Sequence, residues 1–337
     1  MQPLLGYLAV FALAFLATHF MLPKIIPRLL QLGLSGKDMN KASEPVVAEM
    51  GGIAVFFGFV SAIMLALAFH SYWGWFEGLN LTALLAASST IVIIGFIGLV
   101  DDLLGWKSGI KQWQKTLLPL VAALPLMVLP ESIGLTKIVV PFMGEVQLGI
   151  LYSLALVPIA VTGASNAVNM LAGFNGLEAG IGSIIAATFI AIALFKEDPS
   201  RTLEVVLLMA ALLGSLLAFL RFNWFPAKVF PGDSLTLMMG AAFAAAAIVG
   251  NIEKIGLGLF ALYFVELLFK AKHRFKSECF GLPQEDGTLQ ADPRGGSLTH
   301  FIMRLGRFTE GQVVCILFGL QLLVSAAVFA LFWFKLF

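Results

Sequence analysis

Apolar residues run along this chain in long unbroken stretches, and polar residues gather between them. A bilayer core about 30 Å thick asks for roughly 20 apolar residues per helix. Runs of that kind occupy approximately residues 4–22, 50–69, 81–100, 116–129, 148–164, 179–195, 205–220, 235–250, 255–269 and 313–334. The pattern predicts an all-α polytopic membrane protein of about ten transmembrane helices. Continuous runs exclude a closed barrel, whose strands alternate. The fourth span contains Pro119 and Pro125 and is the least regular. No period of about 20 to 50 residues recurs and no two halves match, so residues 1–337 read as a single transmembrane domain. The one long polar stretch, 270–311, is interrupted by Pro283, Gly287, Pro293, Gly295 and Gly296, and reads as a loop or small cap on the inside face between the ninth and tenth spans.

Composition agrees: 59% of the 337 residues are hydrophobic and 12% charged, more apolar surface than one soluble core buries. A formal net charge of +1 favours neither a nucleic-acid partner nor a disordered acidic tail. Charge position is more informative. The first span lacks a basic segment before it, and Lys24 and Arg28 follow it, so it reads as a retained helix with its N-terminus outside. Alternation from that start puts 16 of the 21 Lys and Arg residues on the inside and the C-terminus outside, the asymmetry of the positive-inside rule. Cys279 and Cys315 have neither disulfide-framework nor zinc-site spacing.

Polar side chains at membrane depth are costly, so where they cluster is informative. In this chain they collect at the inside ends of spans. Asp101 and Asp102 close the third span directly; water-facing helix-end carboxylates are the bland reading, but two like charges at a helix C-terminus oppose its dipole. Asn166, Asn169, Gly173, Asn175, Gly176 and Glu178 interrupt an otherwise apolar segment. Asn166 and Asn169 share a helix face, and the glycines let backbone approach a ligand closely. The alternative there is hydrogen bonding between helices. Asp233, in Phe230-Pro-Gly-Asp233, reads either as an N-cap of the eighth span or as an oxygen ligand for Mg²⁺, which takes one or two protein oxygens plus phosphates and waters. Lys270, Lys272, His273, Arg274 and Lys276 form a basic cluster, either a collar for anionic headgroups or a diphosphate clamp. The inventory fits metal and phosphate chemistry on a lipid.

These clusters resemble the polyprenyl-phosphate N-acetylhexosamine 1-phosphate transferase superfamily. The resemblance runs from about Glu49 to Arg274 and rests on Gly98-Leu-Val-Asp101-Asp102, Lys115-Thr-Leu-Leu-Pro119, the stretch from Asn166 to Gly180, and Phe230-Pro-Gly-Asp233. With Arg221-Phe-Asn223-Trp-Phe-Pro226, it looks most similar to the eukaryotic and archaeal UDP-GlcNAc:dolichyl-phosphate branch. The resemblance implies ten transmembrane helices, a cytosolic active site, and transfer of GlcNAc-1-phosphate from UDP-GlcNAc to a polyprenyl or dolichyl phosphate with release of UMP, opening a lipid-linked oligosaccharide pathway. It implies Mg²⁺, with Mn²⁺ as a substitute, held by Asn169 and Asp233. Lys115 matches a lysine that meets the lipid phosphate. Gly173 and Phe230 would flank uracil, Asn175 would bond its edge, and Asn166 and Glu178 would line the site. His273 and Arg274 match a His-Arg pair at the sugar and diphosphate, and Glu49 a glutamate that orients that arginine. Lys272 stands where an arginine is usual.

Other departures are Gly105, where relatives carry a polar side chain, and a short segment 276–311. The histidine-rich loop of the bacterial cell-wall branch is missing, which counts against a muramoyl-pentapeptide substrate. Because phosphate is already ionised near pH 7, Asp101 and Asp102 need not serve as a base. The expected membrane is an archaeal or bacterial plasma membrane in preference to endoplasmic reticulum, with the bilayer and the two substrates as partners, no nucleic acid, and a homodimer as a compatible assembly. Two rivals stand beside this reading: the same chemistry with undecaprenyl phosphate or another UDP-hexosamine, and a transporter of nucleotide sugars or lipid phosphates.

Overall fold

A computed structural model describes residues 2–104, 112–129, 137–140, 144–199 and 201–336. Gly105 lies outside the described residues, as does the side chain of Lys115. The chain runs α1 (Gln2–Gln31), α2 (Gly52–Trp73), α3 (Leu81–Leu104), α4 (Gln112–Ala122), α5 (Leu124–Met127), α6 (Val157–Met170, entered through a π-helical turn at Tyr152–Leu156) and α7 (Leu177–Phe195). It continues with α8 (Thr202–Asn223), α9 (Asp233–Gly250), α10 (Glu253–Leu259), α11 (Ala261–Lys272), α12 (Leu298–Leu305) and α13 (Glu310–Trp333). Three antiparallel hairpins sit in connections: β1 (Ser35–Lys37) with β2 (Val46–Ala48), β3 (Lys137–Val140) with β4 (Gly144–Gln147), and β5 (Gly281–Pro283) with β6 (Leu289–Ala291).

The protein is an all-α polytopic membrane protein. Among the described residues, 8 helices are long and apolar enough to cross a membrane. The other two predicted spans are broken. The fourth falls on α4 and α5, where Pro119 and Pro125 each remove a backbone donor from the helical ladder. The ninth is split at Phe260 into α10, which carries Gly256 and Gly258, and α11. The two halves diverge in their packing: α10 lies on α9 and α13, α11 on α6 and α12. The polar segment after α11 holds the β5–β6 hairpin and α12, whose N-cap Ser297 accepts the Thr299 N–H.

At the centre stands α9, 94% buried and packed on α2, α3, α6 and α8. Its sequence, rich in Ala and Gly, gives it a thin cylinder that neighbours approach closely. Glycines complete three of these crossings. A Cβ at Gly98 of α3 would lie 2.4 Å from the Asp233 carbonyl oxygen, one at Gly52 of α2 2.5 Å from the Leu235 nitrogen, and one at Gly240 of α9 2.3 Å from the Ala164 oxygen of α6. Two of the contacts fall in the first turn of α9, so the packing that sets the bundle also fixes where that turn begins.

Gly98→Val overpacks the α3–α9 crossing and is expected to destabilise by about 1–3 kcal/mol. Gly319→Ala on α13, where nothing lies within 4 Å, serves as control. Thermal unfolding in detergent should show a lowered midpoint for Gly98→Val alone; equal midpoints would refute the crossing's tightness.

Candidate active site

The C-terminal ends of α3, α6, α8 and α11 meet the N-terminal ends of α2, α7, α9 and α13 at one pole. The strand-like segment before α9 is clamped first. Phe230 N–H donates to the Ala48 carbonyl (2.8 Å), and its own carbonyl accepts the Gly51 N–H (2.9 Å), while Gly52 N–H donates to Pro231 O (2.9 Å). Asp102 then caps α9 from α3: its Oδ1 accepts the Asp233 N–H (2.7 Å) and its Oδ2 the Ser234 N–H (3.0 Å). The carboxylate is well matched to the positive end of the helix dipole. Gly232, at φ +72°, is required twice, by its backbone angle and because a Cβ there would stand 2.5 Å from Asp102 Oδ2. Asp101, beside it, is buried.

One turn into α9, Thr236 Oγ1 donates to Asn169 Oδ1 of α6 (3.1 Å). Residues 233 and 236 share a helix face, so Asn169 and Asp233 border the same space, with oxygen donors only. Among the described residues no group of three or more His, Cys, Asp or Glu side chains could hold a metal ion by itself. Asn166 donates its amide back to Thr162 O of its own helix (2.9 Å).

The loop between α6 and α7 is held by side chains from elsewhere. Glu178 Oε1 accepts the Gly173 N–H (2.8 Å), Glu310 Oε1 the Asn175 N–H (2.8 Å), and Asn223 Oδ1 the Gly176 N–H (3.0 Å). Asn40 donates to Gly173 O (2.8 Å) and accepts the Gly281 N–H (2.9 Å), tying this loop to β5. The Asn175 side chain donates to Asp38 Oδ2 (3.0 Å). Lys41 joins Asp38 to Glu310, at 3.0 Å from the latter, and lies 4.7 Å over the Phe225 ring. Asn223 belongs to the Arg221–Pro226 motif, whereas Asp38, Asn40, Lys41 and Glu310 act at the site without a motif of their own; for the first three the polar run Ser35 to Lys41 between apolar stretches is the available signal.

At the end of α11, His273 Nδ1 donates to Phe269 O (2.9 Å). Arg274 and Phe275 follow in left-handed conformation, at φ +55° and +58°. Glu49, half-buried, makes no ion pair with Arg274 among the described residues. Burial, and then the Asp102 carboxylate, hold its carboxyl above the usual range.

A cavity of about 2660 Å³ opens among these groups. Glu49, Asn166, Asn169, Gly173, Asn175, Glu178, Phe230, Asp233 and Arg274 line it; Asp101, Asp102, Lys272 and His273 are not in its wall. From this mouth it continues between α6, α9 and the broken α10–α11 pair along Ile159, Phe243, Ile248, Phe260 and Phe264, as far as Asn251 and Lys254 at the other end of α9. A polar mouth on an apolar groove suits an amphiphile.

The native Glu49 carboxyl holds its proton more tightly than the unfolded chain does, so its ionisation costs stability once the pH passes the unfolded value near 4.5. Glu49→Gln should therefore melt above the native protein at pH 7.5, and the gap should close toward pH 4. A gap that stays constant across this range would show that the carboxyl is not shifted.

The description "Glycosyl transferase family 4" matches residues 84–251, which hold Asp101, Asp102, Asn169 and Asp233. A putative UDP-N-acetylglucosamine–dolichyl-phosphate N-acetylglucosaminephosphotransferase of Sulfolobus acidocaldarius is 35% identical over 323 residues, covering 96% of this chain and 95% of the relative. The enzyme of that name from Schizosaccharomyces pombe is 29% identical over 80% of this chain and 66% of its own length. A phospho-N-acetylmuramoyl-pentapeptide-transferase of Limosilactobacillus reuteri is 30% identical over 71% and 73%. With one relative aligned almost end to end, and the capped α9 and its asparagine partner inside the matched region, the chain belongs to glycosyl transferase family 4.

Proposed function

We propose that the protein transfers GlcNAc-1-phosphate from UDP-GlcNAc to a polyprenyl phosphate of the dolichyl type. The observation that carries this reading is the Asn169–Asp233 oxygen pair at the mouth of an apolar groove. The names of the archaeal and fungal relatives support the donor and acceptor. An oxygen of the lipid phosphate attacks the β-phosphorus of UDP-GlcNAc in line. The bond to the bridging oxygen breaks, and that oxygen leaves on the α-phosphate as UMP. The product is GlcNAc-diphospho-lipid.

The chain's own groups divide the work. Asn169 and Asp233 offer one amide and one carboxylate oxygen, too few to cage a cation alone but suited to Mg²⁺ that also takes phosphate oxygens. Held by these two residues, Mg²⁺ would supply charge neutralisation for the diphosphate. The Gly173 loop and Phe230 receive the uracil, and Arg274 the diphosphate and sugar. We assign Lys115 to the acceptor phosphate on the motif resemblance. Asp102 serves as a positioning residue, since both its oxygens are engaged on α9, and no general base is required for an ionised phosphate. The prenyl chain lies in the groove. The positive-inside asymmetry supports a mouth on the cytosolic face.

Purified protein with UDP-GlcNAc, polyprenyl phosphate and Mg²⁺ should release UMP in a lipid-dependent manner. EDTA should abolish release, and Asp233→Ala should lower it by at least about 100-fold, the scale of lost metal-centred charge stabilisation. Release with a different UDP-hexosamine alone would reassign the sugar; no release with any donor would overturn the reading. Asp102→Asn should reduce turnover by the same factor from pH 6 to pH 9, because its effect runs through the α9 cap; a loss confined to one limb of the pH profile would instead assign it a proton-transfer role.

A further inference from the structure

Glu266 of α11 is 0% exposed, and no step proposed above uses it. A buried carboxylate is tolerated only when its oxygens are paired, and the pairing of Glu266 points toward the site. Oε2 accepts the Leu298 N–H (2.7 Å) and the Ser297 hydroxyl (2.9 Å), so the carboxylate sits on the first turn of α12. Oε1 faces Lys270 Nζ at 3.6 Å and the Cys279 thiol, also at 3.6 Å. That thiol stands 3.3 Å from the carbonyl of Met170, next in sequence to Asn169.

The same hub reaches the His273–Arg274 turn by two routes. Lys270 Nζ donates to the Ser277 carbonyl, and the Lys270 carbonyl accepts the Phe275 N–H (2.7 Å). Both bonds close the turn in which Arg274 and Phe275 hold positive φ, a conformation that side chains disfavour unless their surroundings impose it. From the other side, Gly296, next to Ser297, donates its N–H to Ser277 Oγ (2.6 Å) and packs on the His273 ring, where a Cβ would lie 1.9 Å from Nδ1. The loop that borders the uridine end shares the Asn40 link to β5 but has further anchors of its own in Glu178, Glu310 and Asn223.

We infer that Glu266, with Lys270, is a positioning residue: it pins the segment 277–300 onto α11 and thereby holds Arg274 at the cavity mouth, setting affinity for the sugar-diphosphate end of the donor more strongly than for the uridine end. The inference rests on the donor reading above.

Calorimetric titration of the full-length protein with UDP-GlcNAc and, separately, UMP in the presence of Mg²⁺ tests it without requiring turnover. Glu266→Gln should weaken UDP-GlcNAc by about tenfold or more while UMP stays within about twofold. Ser297→Ala, which keeps the carboxylate, should shift UDP-GlcNAc in the same direction by less. Gly296→Ala, which displaces the His273 ring, should reproduce the selective loss and carries the test if Glu266→Gln fails to fold. Equal weakening of both ligands, or unchanged UDP-GlcNAc affinity with only a lower melting temperature, would overturn the inference. Native protein that binds neither ligand would overturn the donor reading, and this inference with it.

Discussion

The Asp102 carboxylate on the first turn of α9 is the contact on which the rest of the site depends. A helix start leaves N–H groups without partners. Supplying the acceptors from α3 satisfies two of these donors at once and fixes the rotation and depth of α9 relative to α3. Gly98 allows the backbones to come that close, and Gly232 leaves room for the carboxylate. Asp233 and Thr236 then point where they do because the helix cannot turn, and Asn169 is aligned through Thr236. The Asn169 and Asp233 side chains are set by packing that extends through the bundle.

Around this core the polar groups follow a common economy. The Gly173 loop, proposed to receive the nucleotide, takes its hydrogen bonds from side chains of α7, α8, α13 and the segment before β2, so its conformation is set by the fold. Preorganised donors and acceptors need not rearrange during reaction. On the other side of the cavity the left-handed turn at Arg274 is imposed by Lys270 and Ser277. One wall is thus rigid through many partners and the other through a buried hub. The broken α10–α11 pair leaves an apolar furrow between them.

Much of this was legible in the sequence, for identifiable reasons. Spans were readable because the bilayer imposes a length on apolar runs, and the two that broke did so where Pro119, Pro125, Gly256 and Gly258 weaken the helical ladder. Asn169 and Asp233 stood out because polar groups in an apolar setting are expensive. What sequence could not convey was pairing. The opposition of Asp102 to the helix dipole was visible within α3, but not that the carboxylate served the start of another helix 131 positions away. Asn175 gave no hint that its amide meets Asp38, nor Glu310 that it supports a loop 135 positions earlier. Lys272 and His273 fall in the basic cluster yet outside the cavity wall, because the turn after α11 directs Arg274 there instead.

The Asp38–Lys41–Glu310–Asn175 network has a consequence for biosynthesis. It joins the first polar connection of the chain to the start of the last helix, across the loop that borders the cavity. A nascent chain can insert most of its spans and close the α3–α9 contact, yet Asn175 has no acceptor for its N–H, and Lys41 lacks one of its two carboxylates, until α13 has left the ribosome. The network that borders the cavity therefore closes only once α13 is in place.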